Sequence, residues 1–515
     1  MKKFIGFLLI VLFFAVTVTL LAAVIRGQVG NPIYHQTQEE RNKKVGSPFE
    51  SSGSTSRYAL IEAIVEDKTF FFNEERARFS APDIVEYNDK FFSIFTPGVS
   101  FFSMPFYVLG KYIGFPQLVT YLSTVLLSLI NVTLVVFLAR KLGAGLYSAL
   151  LAGFIFIFAT DALSYALTLT QHHLSVTLIL LALLNIFGER TFLKNVWLGA
   201  IYGMGLLVDL PNGLMMFPIV VYALLKHLNF DKRADKTTIS IKLKMVTLLV
   251  GLIPFLALFG WYNYQLTGSY TKIGQTIGRS EYFQPPEVRE KYRLERENSD
   301  PFRPKLPFNT RDQLHNFNIL LISNERGWIF YSPVVFIGIL GLFLNHKKSQ
   351  KKEFVIVATA VVLADFVIYS MFGAEGGWAF GPRYLIPAAA ILSAAFGVAV
   401  ERFRRNVFFI VAFIILLAYS LGVNTIGAMT TTQVPPKVEA VNLPNPIPYT
   451  YEYNLQLIDK NFTSSLIYNL YLFKFMSVRE FLYAYYAIAI TVIVGVYLFV
   501  LLENEKTEKL TGEKL

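Results

Sequence analysis

Residues 117–143 read QLVTYLSTVLLSLINVTLVVFLARKLG. The first 23 carry no formal charge, and the run stops at Arg140-Lys141. About 20 apolar residues closed by cations is the pattern of a helix that crosses a bilayer and ends at its cytoplasmic surface. Comparable runs lie at 4–25, 144–160, 173–187, 195–208, 212–225, 245–264, 328–344, 354–372, 384–400, 406–424 and 481–502. The chain is 54% hydrophobic and 16% charged, well below the quarter typical of soluble chains. A soluble enzyme, a disordered chain and a disulfide-stapled scaffold are excluded, and the absence of cysteine excludes thiolate metal sites. The fold expected is an all-α polytopic membrane protein of about twelve transmembrane helices, with both termini cytoplasmic.

The cations sort by side. The short loops assigned inside, 140–143, 188–194, 226–244, 345–353 and 401–405, hold 17 Lys and Arg. Those assigned outside, 161–171, 209–211 and 373–383, hold one, Arg383. The net charge of +11 is therefore largely a topology signal and an attraction to anionic lipid, not a nucleic-acid face. Met1-Lys2-Lys3 before the first run reads as the inner end of an uncleaved span. Residues 1–502 form one membrane domain on this reading, and 503–515 a charged cytoplasmic tail. Three long outer segments, 26–116, 265–327 and 425–480, are rich in Tyr, Phe, Pro and charge and are expected to be partly structured on the outer surface.

In the first of these, Ser54-Thr55-Ser56 ahead of Arg57-Tyr58-Ala59-Leu60-Ile61-Glu62 predicts a capped helix. Asn88-Asp89 predicts a turn between two short extended pieces that follow Asp83. The aromatic stretch after Thr96-Pro97-Gly98, through Phe106-Tyr107, predicts a helix lying in the interface.

Four passages, in this order, carry a family resemblance: Ser56-Arg57-Tyr58-Ala59-Leu60; Asp83 through Tyr87-Asn88-Asp89-Lys90-Phe91-Phe92-Ser93 into Thr96-Pro97-Gly98-Val99-Ser100-Phe101; Arg326-Gly327-Trp328-Ile329-Phe330-Tyr331-Ser332-Pro333; and Gly376-Gly377-Trp378-Ala379-Phe380-Gly381-Pro382-Arg383-Tyr384-Leu385. The chain resembles the GT-C superfamily of membrane glycosyltransferases, in particular the bacterial protein-mannosyltransferase and lipid A aminoarabinose-transferase branch. The resemblance implies transfer of a sugar from a polyprenyl-phosphate carrier to a lipid, glycan or protein acceptor at the outer face of the plasma membrane. It also implies an acidic residue of the first outer loop as base on the acceptor hydroxyl. Where relatives often carry an acidic pair before the Arg-Tyr helix, this chain has Gly53-Ser54-Thr55-Ser56. Either the base is elsewhere, with Asp83 the first choice, or the activity is altered or lost.

Such a reaction needs a carboxylate, a cation for the departing phosphate and an apolar groove for the isoprenoid. Asp83 and Asp161 are the catalytic candidates. Asp161 and Asp209 end spans at the outer face and Asp365 lies within one, where an ionisable residue is costly. Arg383 follows a glycine-rich turn and is the candidate clamp for the carrier phosphate, with Arg326 a second cation. Trp378 offers a flat face to a sugar, and Glu375 is a partner for Arg383. His172-His173 open the fourth span; adjacent residues diverge by about 100° on a helix, so they are poor joint ligands. Arg57 and Tyr58 complete the substrate-binding set through the resemblance. No metal site is assigned; a divalent cation between Asp83, Asp161 and a histidine is conceivable, but the spacing does not demonstrate it. The competing readings are a multi-span secondary transporter and an inactive GT-C-like relative. Against the transporter stand the missing Gly-x-x-x-Asp-Arg pattern at 139–144, the lack of similarity between halves and the three large outer segments.

Overall fold

The computed structural model describes residues 2–26, 49–233, 236–241, 243–283, 311–346, 352–371 and 377–511, together with 46, 286–287 and 289–290. The chain is an all-α polytopic membrane protein. Among the described residues seven helices are long and apolar enough to span a bilayer: Gly6–Ala23, Pro116–Leu142, Lys244–Thr267, Lys352–Met371, Arg383–Phe403, Val407–Met429 and Val478–Leu502. Five shorter apolar helices, Leu146–Phe158, His172–Asn185, Phe192–Val208, Pro211–Leu225 and Pro333–Asn345, fall on the other predicted runs.

In chain order, α1 is Lys2–Ala23, α2 Ser52–Glu66 and α3 Glu74–Ser80. A hairpin of β1, Ile84–Tyr87, and β2, Lys90–Ser93, follows, then α4, Gly98–Ile113, α5, Pro116–Leu142, and α6, Leu146–Phe158. The short α7, Ala162–Tyr165, precedes α8, His172–Asn185, α9, Phe192–Val208, and α10, Pro211–Leu225. A second hairpin, β3, Leu228–Arg233, with β4, Lys236–Ile241, lies in the basic 226–244 loop. Then come α11, Thr247–Thr267, α12, Gly274–Ile277, α13, Gln313–Leu321, and α14, Trp328–Tyr331. The chain continues through α15, Ile337–His346, α16, Lys352–Met371, α17, Ile386–Phe403, and α18, Val407–Met429. The last helix is Val478–Thr511, whose Val478–Leu502 part is long and apolar enough to span. The face that carries 161–171 and 209–211 is called the site face below, and the opposite one the basic face.

Helix length shapes the site face. α6 and α8 have 13 and 14 residues, about 20 Å at ~1.5 Å per residue. α5 has 27, about 40 Å. Thr124, nine residues into α5, donates its hydroxyl to Ala166 O at 3.0 Å, so the first two turns of α5 stand beyond the 161–171 loop. α4 packs back along that extension, with Ser103 and Ser123 hydroxyls 2.8 Å apart. The foot of α4 is pinned at the end of α9: Thr96 Oγ1 donates to Val208 O at 2.8 Å, and a Cβ at Gly98 would lie 2.5 Å from Leu207 O. The short helices thus carry a recessed floor, and α4, α5 and α2 wall it.

Close helix crossings hold the floor. A Cβ at Gly199 would lie 1.9 Å from Leu248 O, and one at Gly251 1.8 Å from Val196 O. α9 and α11 therefore touch backbone to backbone, the use membrane helices make of small residues. On the basic face Glu401 accepts from Gly145 N at 2.9 Å and Ser148 Oγ at 2.7 Å, supplying from α17 the cap that α6 lacks in its own sequence.

A helix, a turn and a second helix form where expected, with shifted edges; the expected Ser-Thr cap does not, since no side chain caps α2. The predicted Arg-Tyr helix is α2, begun at Ser52 rather than after Ser54, and its residues 53–63 are all buried. Asn88 and Asp89 form the two-residue turn of the β1–β2 hairpin at φ 50° and 58°, the left-handed geometry that Asn and Asp tolerate. The aromatic stretch is α4, which ends at Gly114 with φ 84°. The β3–β4 hairpin had no expectation. Its Thr237-Thr238-Ile239-Ser240-Ile241 strand sits among the lysines by which the loop was read only as cytoplasmic.

Candidate active site

Two serines at the start of α2 do structural work on an acid elsewhere in the chain. Ser52 Oγ donates to Asp83 Oδ2 at 2.6 Å. Ser56 Oγ donates to the main-chain oxygen of Asp83 at 2.7 Å and meets Ser93 Oγ at 2.8 Å. Both serines lie in the first two turns of α2, so Asp83 sits beside the helix end whose free N–H groups favour an anion. Arg279 Nη2 closes the other side, 2.7 Å from Asp83 Oδ1. Asp83 is 5% exposed.

One turn into α2, Arg57 points back over the same end. Its Nη1 donates to Gly53 O and its Nη2 to Gln171 Oε1, both at 2.7 Å, and its guanidinium lies 3.8 Å from the centre of the Phe95 ring. Ser100 of α4 holds its main-chain oxygen at 2.9 Å. Burial draws the Arg57 pKa down to about 10, against the pull of Asp209 and Asp83 and with the push of Arg383. Arg57 remains a cation at neutral pH, placed among two acids and a second arginine. Asp209, where α9 ends, is pushed up to about 6 by burial, opposed by Arg57, Gln275 and Gln171.

Arg383 enters from the start of the α17 segment. Its Nη2 donates to Tyr384 OH at 3.1 Å. Tyr384 stacks on Tyr369 at 4.5 Å, with ring planes 10° apart, and meets the edge of His172 at 6.0 Å. His172 in turn meets Tyr165 at 4.9 Å. Arg57 and Arg383 both act on His172, and Asp83 acts on both arginines. Asp83, Arg57, His172 and Arg383 are therefore one electrostatic cluster at the recessed floor.

Other sequence candidates are committed to packing. His173 Nε2 donates to Ala162 O at 2.8 Å, which leaves Nδ1 to accept from Asn131 Nδ2 at 3.1 Å. Tyr58 is fully buried against Phe49 and Tyr107. Arg326 donates to Gly377 O at 2.6 Å, tying the 377–383 turn to the start of α14. Trp378 donates its indole N–H to Glu439. Glu375 lies outside the described residues. Asp365 Oδ2 accepts from Ala388 N at 3.0 Å, capping α17 from α16.

Asp161 stands apart. It is fully buried, and neither carboxylate oxygen has a hydrogen-bond partner among the described residues. Burial pushes its pKa up to about 7. Gly381 packs beside it with φ 62°; a Cβ there would lie 3.4 Å from the Asp161 Cβ and 3.1 Å from Tyr331. Among the described residues no three His, Asp or Glu side chains are grouped to hold a metal ion.

Sequence reading did not reach Gln171 as the Arg57 acceptor, Arg279, Gln275 or the Tyr369–Tyr384 stack. Asp209 was legible as an acid at a span end. Arg279 had no signal, being one of many cations in a long segment.

No family model matches the chain, and no curated protein matches it. Among solved structures it is similar to ArnT from Cupriavidus metallidurans in the apo state, at 14% identity, and bound to undecaprenyl phosphate, at 16%. In both cases the TM-score is 0.49, and the match covers 96% of this chain and 76% of that one.

Proposed function

We propose that the protein is a membrane glycosyltransferase that moves a sugar from a polyprenyl-phosphate donor to a hydroxyl-bearing acceptor. The observation that carries the reading is the cluster of one shielded carboxylate, Asp83, with the buried Arg57, the half-buried Arg383 and the buried His172 at the recessed floor. The four sequence passages that resemble the GT-C branch supply three of these four residues. Asp83 takes the acceptor O–H proton and the freed oxygen bonds to the anomeric carbon. The bond from that carbon to the phosphate oxygen breaks, and its electron pair leaves on the phosphate. Arg383 and Arg57 hold the charge that develops there. One displacement inverts the anomeric centre.

The sorting of 17 cations against one supports a site face directed out of the cytoplasm, with both termini inside; the plasma membrane as the location rests on the family resemblance. A catalytically silent relative is the second reading, favoured by one observation: Asp83 is paired with Arg279, and a paired carboxylate is a poor base. Binding of C55 polyprenyl phosphate to the purified protein tests the phosphate site. Arg383→Ala should weaken that binding at least tenfold, the weight of one charge-assisted pair. Unchanged affinity removes Arg383 from the role.

A further inference from the structure

An exposed contact to Asp83 comes from a side chain that also lines a cavity. Arg279 is 63% exposed, yet its Nη2 sits on the buried Asp83 Oδ1. On its other flank opens a cavity of about 510 Å³ walled by the β1–β2 turn and the segment after α12. Its lining includes Glu86, Asn88, Asp89, Arg279, Tyr282 and Arg289. Asp83 does not line this cavity, and Arg279 is the side chain that both lines it and touches Asp83.

The wall is built. Ser280 N donates to Ile84 O at 2.8 Å, extending the β1 edge, and Ser280 Oγ donates to Glu86 Oε2 at 2.9 Å. Phe91 packs on Tyr282 and Phe283 at 5.3 and 5.6 Å. Lys272 donates to Tyr87 OH at 3.0 Å. The segment is thus clamped to the hairpin on either side of Arg279, while the Arg279 side chain itself is long, exposed and held at Asp83 by one ion pair. Carboxylates, an amide and a guanidinium around an aromatic ring form the set that hydrogen-bonds vicinal hydroxyls and stacks a sugar ring. The volume falls within the range of small-ligand sites, about 300–1,000 Å³.

We propose that Arg279 is a latch on Asp83 and that the cavity is the docking site for a polyhydroxylated, glycan-like part of the acceptor. Filling the cavity draws Arg279 to the acceptor hydroxyls and frees Asp83 to accept a proton. With the cavity empty, the paired carboxylate does not activate water, so donor is not wasted by hydrolysis. The inference rests on Asp83 being the base of the proposed transfer.

The test reads Asp83 without needing turnover. The full-length protein in detergent is treated with a water-soluble carbodiimide and glycine ethyl ester, and labelling of Asp83 is followed by peptide mass spectrometry. The exposed Asp459, paired with Arg479, serves as internal control. Arg279→Gln should raise Asp83 labelling roughly five- to tenfold and leave Asp459 unchanged. Chitotriose at millimolar concentration should raise wild-type labelling toward the Arg279→Gln level, and should do nothing in Arg279→Gln or in Glu86→Gln/Tyr282→Ala. Unchanged labelling in Arg279→Gln overturns the latch. No response to chitotriose, or a response instead to a serine-rich peptide, overturns the glycan site. If labelling behaves as described while no lipid-linked sugar is ever consumed, the latch stands and the transferase reading falls.

Discussion

Glu50 is an acid of the first long outer segment, seven residues before Arg57. The fold gives it a structural task rather than the part of a base, and Glu50→Gln separates the two. Its Oε1 accepts from Arg26 Nη1, from Thr432 N at 2.7 Å and from Thr432 Oγ1 at 2.6 Å. Its Oε2 accepts from Gly46 N at 2.8 Å and Thr431 Oγ1 at 2.6 Å. Both side chains of the Arg26–Glu50 pair are buried, at 0% and 1% exposure. The pair joins the end of α1 to the turn after α18. Glutamine keeps the shape but removes the charge, and its NH2 faces donors whichever way it is turned. Breaking a buried pair from one side costs about 3–5 kcal/mol, because it strands the partner charge. At the lower figure the folded-to-unfolded ratio already falls more than about a hundredfold. Arg26→Met should cost less, since Glu50 keeps four neutral donors. The double variant Arg26→Met/Glu50→Gln should recover part of the Glu50→Gln loss. Equilibrium unfolding in mixed detergent micelles reads all three. An unfolding free energy of Glu50→Gln within about 1 kcal/mol of wild type would refute the reasoning. So would lost turnover in a variant of undiminished stability, which would make Glu50 the base.

Further outcomes follow from the same structure. Burial raises the carboxyl of Asp161 to about 7 and that of Asp209 to about 6, both above the usual range near 4. The folded state therefore holds more protons than the unfolded chain between pH about 4 and 7, and this part of the stability falls as pH rises through that window. Asp161→Asn should flatten the fall, measured as the difference in unfolding between variant and wild type at pH 5 and 8. An identical slope in both would contradict the burial argument. Gly199→Ala should destabilise by about 1–3 kcal/mol, because the new Cβ meets Leu248 O. Gly495→Ala, with nothing within 4 Å, should be neutral or gain up to about 1 kcal/mol. Thermal melts that rank the two alike would place the α9–α11 crossing in error. His173→Gln should lower stability without changing the affinity for polyprenyl phosphate, as its ring nitrogens serve Ala162 and Asn131. A selective loss of lipid binding would return His173 to the site.

The span pattern was legible because apolar runs and boundary cations act locally, residue by residue, as at 117–143. The β1–β2 turn was legible for the same reason: Asn88-Asp89 tolerate the backbone a two-residue turn requires. The site was legible in its parts and not in its pairings. Asp83, His172 and Arg383 could each be picked out by type and place, and Arg57 through the resemblance. That Gln171 would take the Arg57 hydrogen bond across 114 positions depends on where α2 comes to lie against the 161–171 loop, which no local pattern encodes. Ser56 carried a misleading signal. Read along the chain, Ser56 belonged to the stretch 53–56 that lacks an acidic pair and Ser52 carried no reading; folded, the two are donors that hold Asp83. His173 shows the converse, a residue singled out by rarity whose ring is used to fix α7.

The central claim is that Asp83 serves as base in transfer from a lipid-linked sugar. The direct measurement is release of free polyprenyl phosphate from labelled polyprenyl-phosphate sugars by purified wild type and Asp83→Asn, with matched melts and matched lipid binding. The account predicts release by the wild type with an acceptor present, and a fall of at least about a hundredfold in Asp83→Asn. Near-wild-type release by Asp83→Asn, or vesicle uptake of a solute with no lipid consumed, would contradict it.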